Sequence, residues 1–121
     1  MKTILLVDDS PTILMSVENI LKTAGYKTEK AKNGKEALDK LKAGLKPNLI
    51  ITDFNMPIMD GLTFIKHARK LPSCRFTPIL ILTTESEQKK KMEAKKAGAT
   101  GWLVKPVKPN DLLNVLKKVM P

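Results

Sequence analysis

The chain has 121 residues, 42% of them hydrophobic, and its 22 Lys and Arg against 12 Asp and Glu give a net charge of +10. These values suit one folded domain over residues 1–121 and exclude a disordered chain. No apolar run approaches the roughly 20 residues of a membrane span, and the single cysteine, Cys74, excludes an internal disulfide. We therefore expect a cytoplasmic protein with no membrane partner.

The first half of the chain alternates strands and helices. The apolar run 3–7 predicts a strand that is buried on both faces. The Ser10-Pro11 pair is typical of a helix N-terminus, and the helix that follows ends at Gly25. A charged, weak strand at 26–31, expected near a sheet edge, precedes a helix at 34–43.

The second half continues this alternation. We predict strands at 49–52, 79–82 and 101–104, and helices at 62–71, from Glu85 or Ser86 to Gly98, and at 110–119. Five strand–helix units predict a parallel sheet with helices on both faces. An eightfold barrel needs about 250 residues, so the predicted fold class is an α/β protein with an open, doubly wound, five-stranded parallel sheet.

The densest run of positive charge falls in the predicted fourth helix, at Lys89–Lys91 with Lys95 and Lys96. The sequence leaves two interpretations open, a solvated helix face or a docking surface for an acidic partner. A basic chain also suggests nucleic-acid binding. Aromatic residues make up only 4% of the chain, however, so base-stacking surfaces are scarce. We expect no direct contact with nucleic acid.

Polar residues that together fit one kind of chemistry follow four of the five predicted strands. Asp8 and Asp9 follow the first, Asp53 the third, Thr83 the fourth and Lys105 the fifth. Each has an ordinary structural explanation as a cap, a turn residue or a surface cation. The carboxyl ends of parallel strands meet at one edge, however, where ligands bind in open sheets. Together these residues therefore indicate a functional site.

Three crowded carboxylates stay ionised only beside a cation, and all-oxygen ligands favour Mg²⁺. The sequence contains no G-x-x-x-x-G-K-[ST] loop for nucleotide phosphates. Its only histidine, His67, lies in a predicted helix, so we interpret it as a surface residue and expect no Ser-His-Asp triad. A carboxylate nucleophile, a metal, a hydroxyl and a fixed cation suit transfer of a phosphoryl group onto an aspartate.

These motifs resemble the receiver domains of bacterial two-component response regulators. The matching segments are Asp8-Asp9, Asp53 in TDFNMPIMDG, Thr83 in LTTE, and Lys105-Pro106 in GWLVKPVKP, with separations of 30 and 22 residues between the last three sites. The resemblance covers the whole chain and is closest to single-domain chemotaxis regulators of the CheY-like type. It implies one receiver domain over residues 1–121, with a flavodoxin-like sheet in the strand order 2-1-3-4-5.

The resemblance also implies roles for the acidic residues. Asp53 would be the phosphoacceptor, taking a phosphoryl group from a histidine kinase. With Mg²⁺ as cofactor, Asp9 and Asp53 would be metal ligands, Asp8 would act through a metal-bound water, and the backbone carbonyl of Asn55 would complete the set. Asn55 and Glu85 match chemotaxis members and imply fairly quick loss of the phosphoryl group to water.

Further roles are implied at the ends of the fourth and fifth strands. Thr83 would donate its hydroxyl to a phosphoryl oxygen, and Lys105, followed by Pro106 through a cis peptide bond, would pair with another oxygen or with Asp53. Thr83 and the aromatic Trp102 would form the conformational switch. Trp102 departs from the usual Tyr or Phe, so a fixed, surface-facing Trp102 is the alternative. Thr84 replaces a small residue and would narrow access to the acyl phosphate.

No further domain follows residue 121 in this sequence, so we expect a monomeric, stand-alone regulator of the chemotaxis or flagellar motor type. Its target would bind the face formed by helix 4, strand 5 and helix 5. The alternatives are a phosphorelay intermediate, a receiver of a longer transcriptional regulator, a phosphatase-like hydrolase and a nucleic-acid binder. Asn55 stands where a general acid would be needed, so we expect no turnover enzyme, only self-catalysed phosphorylation and dephosphorylation.

Overall fold

The computed structural model describes residues 2–84 and 88–120, which form one five-stranded parallel sheet in the order β2-β1-β3-β4-β5. The strands are β1 (Thr3–Val7), β2 (Lys27–Ala31), β3 (Leu49–Thr52), β4 (Ile79–Thr83) and β5 (Gly101–Val104). The helices are α1 (Pro11–Thr23), α2 (Gly34–Lys42), α3 (Gly61–Arg69), α4 (Gln88–Ala97) and α5 (Pro109–Val119), with a 3₁₀ turn at Pro72–Cys74. The doubly wound fold and the strand order 2-1-3-4-5 are confirmed.

The sheet is covered on both faces, which explains its uninterrupted apolar strands. Leu5 and Ile50 face a cluster that includes buried side chains of α2, α3 and α4. Their neighbours Leu6 and Ile51 face the opposite cluster, formed with α1 and α5. The charged strand β2 lies at the sheet edge, as its composition predicted. The central strands are therefore fixed from both sides, and their carboxyl ends are held in register.

Side-chain caps determine where three helices begin. The Ser10 hydroxyl accepts a hydrogen bond from the backbone of α1, and Asn33 and Asp60 do the same for α2 and α3. Because Asp60 is the cap, α3 begins one residue earlier than the sequence predicted. It also ends at Arg69 rather than near Leu71, because a separate 3₁₀ turn follows. The predicted start of α4 at 85–86 lies outside the described residues.

Arg69 connects three segments at the amino ends of the strands. Its Nη1 donates to the carbonyl oxygens of Cys74, at 2.7 Å, and Thr77, at 2.6 Å. Its Nη2 and Nε donate to the carbonyl oxygen of Gly98, at 2.7 and 3.1 Å. One planar guanidinium therefore joins the end of α3, the loop before β4 and the end of α4.

Candidate functional site

The parallel register places the first two acidic positions side by side. Val7 pairs with Thr52 at the ends of β1 and β3, and the Asp53 amide donates to the Val7 carbonyl at 2.8 Å. The residues that follow these strands, Asp8 and Asp53, consequently emerge at the same edge of the sheet. The convergence expected from the sequence is present in the structure.

Asp8, Asp9 and Asp53 form an acidic cluster in which one carboxylate oxygen from each residue lies within 4.8 Å of the others. Asp8 and Asp53 are buried, whereas Asp9 is exposed. Burial raises the pKa of Asp8, an effect opposed mainly by its hydrogen bond with Lys105. Crowded, partly desolvated carboxylates are a donor set that fits a hard divalent cation, so the residues present suit Mg²⁺.

Lys105 is the cation of the site, and it contacts two of the carboxylates. Its Nζ lies 2.7 Å from Asp8 Oδ2 and 3.4 Å from Asp53 Oδ2. The resemblance implied a partnership with Asp53, but the shorter contact here is with Asp8. The peptide bond between Lys105 and Pro106 is cis, as expected. Lys105 therefore offsets part of the negative charge on both buried acids.

The Asp53 carboxylate is oriented by two different contacts. Its Oδ1 accepts a hydrogen bond from the Phe54 amide at 2.7 Å, while its Oδ2 faces Lys105. On the main chain, the Thr52 hydroxyl donates to the Asp53 carbonyl at 3.0 Å. Both the backbone and the side chain of Asp53, for which the sequence predicted a chemical role, are therefore held by contacts with neighbouring groups.

Gly61 permits the close approach of α3 to this residue. The Gly61 amide donates to the Phe54 carbonyl at 2.9 Å. A Cβ atom at Gly61 would overlap the carbonyl oxygen of Asp53 and crowd the Cα of Phe54. The sequence indicated only a turn at Asp60-Gly61. The structure shows that glycine is required there because a backbone already occupies the space.

A tight turn closes the same loop between β3 and α3. Ile58 has a φ of +71°, and the Met59 amide donates to the Pro57 carbonyl at 2.7 Å, which defines a γ-turn. A β-branched residue in this region carries backbone strain of about 1–3 kcal/mol, of the kind that gathers at functional sites. The Gly34 amide fastens the turn to α2 by donating to the Met59 carbonyl. Nothing in the local sequence pattern indicated this conformation.

Thr83 and Lys105 lie side by side at the carboxyl edge of the sheet, where the acidic cluster is found. Thr83, the last residue of β4, is 1% exposed and pairs with Val104. The Lys105 amide donates to the Thr83 carbonyl at 2.8 Å, which holds the ends of β4 and β5 in register. Thr84, which follows β4, and Asn55, in the loop after β3, are both exposed. The structure thus brings the acidic cluster, Thr83 and Lys105 to one edge of the sheet, while Glu85 lies outside the described residues.

Trp102 contacts the residue next to Asp53. The centroids of the Trp102 and Phe54 rings lie 5.7 Å apart, and the ring planes make an angle of 55°. Lys90 of α4 places its Nζ 5.8 Å from the centre of the Phe54 ring. Trp102 is half-buried and packs against the core cluster that lies under α2, α3 and α4. Phe54, which sequence reasoning did not select, therefore links Asp53 to β5 and α4.

Comparisons with known proteins agree with this geometry. The family model for the response regulator receiver domain matches residues 4–117. The chain therefore belongs to the response regulator receiver domain family, whose members act in two-component systems with kinases and downstream targets. It is 37% identical to the chemotaxis protein CheY1 of Helicobacter pylori over 118 residues, which cover 97% of this chain and 95% of that protein.

Solved structures show the same relationship. The structure of the chemotaxis protein CheY4 of Vibrio cholerae matches with a TM-score of 0.94, 48% identity and 99% coverage of both chains. The receiver domain of the sensor histidine kinase PA1611 of Pseudomonas aeruginosa also matches, with a TM-score of 0.89 and 27% identity over 97% of this chain and 95% of that one. That structure was solved with a magnesium ion coordinated in its active site cleft. Within the described residues, no helix is long and apolar enough to cross a membrane.

Proposed function

We propose that the chain is a phosphorylation-controlled signalling switch that takes a phosphoryl group from a histidine kinase onto Asp53. The observation that carries this proposal is the meeting of three carboxylates and the Lys105 ammonium at the carboxyl edge of the sheet. Asp8 and Asp53 both lie in the acidic cluster and contact Lys105, and the resemblance of the segment TDFNMPIMDG assigns the acceptor role to Asp53. Membership of the receiver family supports this assignment.

The proposed reaction moves one phosphoryl group between two nucleophiles. An Asp53 carboxylate oxygen attacks the phosphorus of a phosphohistidine, an O–P bond forms, the N–P bond breaks, and the kinase imidazole leaves. Dephosphorylation is the attack of water on the same phosphorus, which restores the carboxylate and releases inorganic phosphate. Each cycle uses a fresh donor, so the chain is not a turnover enzyme in this proposal.

Magnesium is the proposed cofactor. Asp9 and Asp53 would be direct ligands, Asp8 would act through a bound water, and the Asn55 backbone carbonyl would complete the protein's share. The cation would offset the cluster's charge and that of the incoming phosphoryl oxygens. The magnesium-containing receiver from Pseudomonas aeruginosa supports the choice of metal.

Thr83, Lys105 and Trp102 are the proposed responders to phosphorylation. The Thr83 hydroxyl and the Lys105 ammonium would bind phosphoryl oxygens, and Trp102 would change its packing as β5 and α4 adjust. The contact of Trp102 with Phe54, whose amide binds Asp53 Oδ1, supports this coupling. Thr84, exposed beside the site, would slow access to the acyl phosphate.

The proposed output surface is the face formed by α4, β5 and α5. Lys91 and Lys95 line a pocket on it with Trp102, so an acidic segment of a target protein is the expected ligand. Similarity to chemotaxis proteins supports a role in chemotaxis, and in this proposal the chain is a monomeric regulator whose target is the flagellar motor. A phosphorelay intermediate is the second candidate, because a receiver domain of a sensor histidine kinase is also a close structural relative.

Intact-mass spectrometry tests the central claim. With a small phosphodonor such as acetyl phosphate and Mg²⁺, the chain should gain one phosphoryl mass, and Asp53→Asn should gain none. Asp60→Asn is a matched control, because it removes a carboxylate outside the cluster and Asn is an equally good helix cap. An adduct on Asp53→Asn, or none on the unmodified chain with a competent kinase, would contradict the proposal.

A further inference from the structure

A set of exposed cations lies at the end of the molecule opposite the acidic cluster. Parallel strand–helix units place all helix carboxyl ends and all strand amino ends on that side. Each helix ends in or beside an exposed lysine there: Lys22, Lys42, Lys70, Lys96 and Lys118. Favourable interaction with the helix dipoles accounts for part of this pattern.

Helix dipoles do not account for the cations at the strand starts. Lys27 begins β2, Lys46 precedes β3 and Arg75 precedes β4, and all three are exposed. Within the described residues, the last three positions of every helix and the four helix-to-strand connections contain no Asp or Glu. We name this surface, formed by the helix-end lysines and these three cations, the basic end.

One aromatic side chain projects from the basic end. Phe76 is 90% exposed, more than any other large hydrophobic residue in the described chain. Its loop is held in place, because Arg69 donates to the carbonyls of Cys74 and Thr77 on either side, and the Thr77 hydroxyl donates to the Ser73 carbonyl. The exposed ring is thus displayed by a fixed loop rather than by a loose one.

The shape of the basic end favours one kind of partner. Its cations are spread over an area of about 20 by 30 Å, the width of a five-stranded sheet with its two helix layers, and not along a stripe as in a nucleic-acid groove. A single apolar ring among them suits insertion between lipid headgroups, where lysines attract anionic lipid. Base stacking would instead need several aromatic platforms.

We propose that the basic end binds the surface of a membrane that contains anionic lipid, with the Phe76 ring at the boundary between headgroups and acyl chains. The sequence predicted no membrane partner because no segment could span a bilayer, but peripheral binding requires no span. The acidic cluster lies one strand length away, about 15 Å, and faces away from such a surface. The bound protein would therefore keep its phosphorylation site open to solution.

Co-sedimentation with lipid vesicles tests the proposal. The full chain should sediment with phosphatidylcholine vesicles that contain about 30% phosphatidylserine and not with pure phosphatidylcholine. Phe76→Ser should weaken binding about tenfold, because a buried aromatic ring is lost. The double variant Lys46→Glu/Arg75→Glu should weaken it at least about tenfold. Circular dichroism should show wild-type folding for each, since all three side chains are exposed.

Matched variants at the other end of the molecule provide the control. Lys32→Glu/Lys108→Glu changes the net charge by the same amount, but both residues lie at the carboxyl edge of the sheet, where the acidic cluster lies. In the proposed orientation this edge is more than a Debye length of about 8–10 Å from the bilayer. This variant and Met15→Ser, which removes a side chain that is 64% exposed, should bind within about twofold of wild type. Asp53→Asn should also bind normally, which separates this test from that of phosphorylation.

Three results would overturn the proposal. The first is no sedimentation with the phosphatidylserine vesicles at low or physiological salt. The second is equal loss of binding in the two double variants, because net charge alone would then explain the interaction. The third is preference for a short DNA duplex that displaces the vesicles, which would assign the basic end to nucleic acid.

Discussion

At the scale of single residues, the site depends on how closely main chains approach Asp53. Gly61 brings α3 against the Asp53 carbonyl, and the Phe54 amide holds one carboxylate oxygen. The other oxygen faces Lys105, which lies closer to Asp8. Asp53 is therefore positioned by backbone contacts, while its negative charge is partly balanced by the Lys105 side chain that it shares with Asp8.

Gly61→Ala should lower both stability and phosphorylation. The added methyl group would overlap the Asp53 carbonyl, so we expect a loss of about 1–3 kcal/mol in the free energy of unfolding and slower incorporation of phosphate. Gly44→Ala is the matched control, because Gly44 has a φ of +115° but no atom lies within 4 Å of the position that an added Cβ would occupy. It should lose about 1 kcal/mol and phosphorylate normally. Equal phosphorylation rates in the two variants would refute this role of Gly61.

Lys105→Met should tighten magnesium binding. The ammonium lies 2.7 Å from Asp8 and 3.4 Å from Asp53, two carboxylates of the proposed metal site, so it competes with a metal ion for their negative charge. Removing it should lower the Kd for Mg²⁺ about fivefold or more, measured by isothermal titration calorimetry. Lys108→Met, which changes an exposed lysine outside the cluster, should leave the Kd unchanged. A weaker or unaltered affinity in Lys105→Met would show that the ammonium does not compete.

At the scale of elements, single side chains connect neighbouring helices and strands. Phe54, Trp102 and Lys90 join the end of β3 to β5 and α4. On the other side of the sheet, Glu18 joins α1 to the edge strand β2. Its carboxylate accepts hydrogen bonds from Thr28 at 2.7 Å and Lys30 at 3.3 Å. The edge strand, which has few buried residues, is thus held partly by polar contacts.

The contribution of Glu18 should depend on pH. The Thr28 hydrogen bond, aided by Lys30 and Lys22, lowers the pKa of Glu18 from its ordinary 4.5. A group with a lowered folded-state pKa stabilises the protein above its ordinary pKa, and this contribution disappears as pH falls through the folded-state value. Glu18→Gln should therefore cost about 1 kcal/mol at neutral pH and nothing in strong acid.

Urea denaturation of wild type and Glu18→Gln at neutral and acidic pH measures this difference. Asp39→Asn is the control, because its ion pair with Lys35 is more than half exposed on both sides and should contribute at most a few tenths of a kcal/mol. A Glu18→Gln deficit that stays constant across the pH range would mean that the charge of Glu18 is not its source.

At the scale of the whole molecule, the sequence predicted the alternation of elements because buried parallel strands are short apolar runs bounded by glycine and proline. It also predicted the meeting of Asp8, Asp53, Thr83 and Lys105, since parallel strands share one carboxyl edge. The strand order came only from resemblance. The preference of Lys105 for Asp8 depends on distances between remote segments, which no local pattern encodes, and the turn at Ile58 is joined to α2 only through the hydrogen bond between Gly34 and Met59.

The distribution of charge in space is a second feature that the local sequence pattern did not predict. Along the sequence the lysines are spread over the whole chain, and nothing in their spacing suggests a shared surface. The fold returns the chain to the same side after every helix, so cations far apart in sequence gather at the basic end. The gathering of cations at the basic end therefore depends on the parallel topology and on the position of each lysine or arginine within its strand–helix unit.

The Arg69 contacts also constrain how α4 can move. Its guanidinium binds the Gly98 carbonyl through two donors, while the same side chain is fixed to the loop before β4. Displacement of α4 as a rigid rod would break these bonds, whereas rotation about its carboxyl end preserves them. If a rearrangement beside Asp53 shifts α4, we therefore expect the displacement to be largest at Gln88 and smallest at Ala97, next to the fixed Gly98 carbonyl.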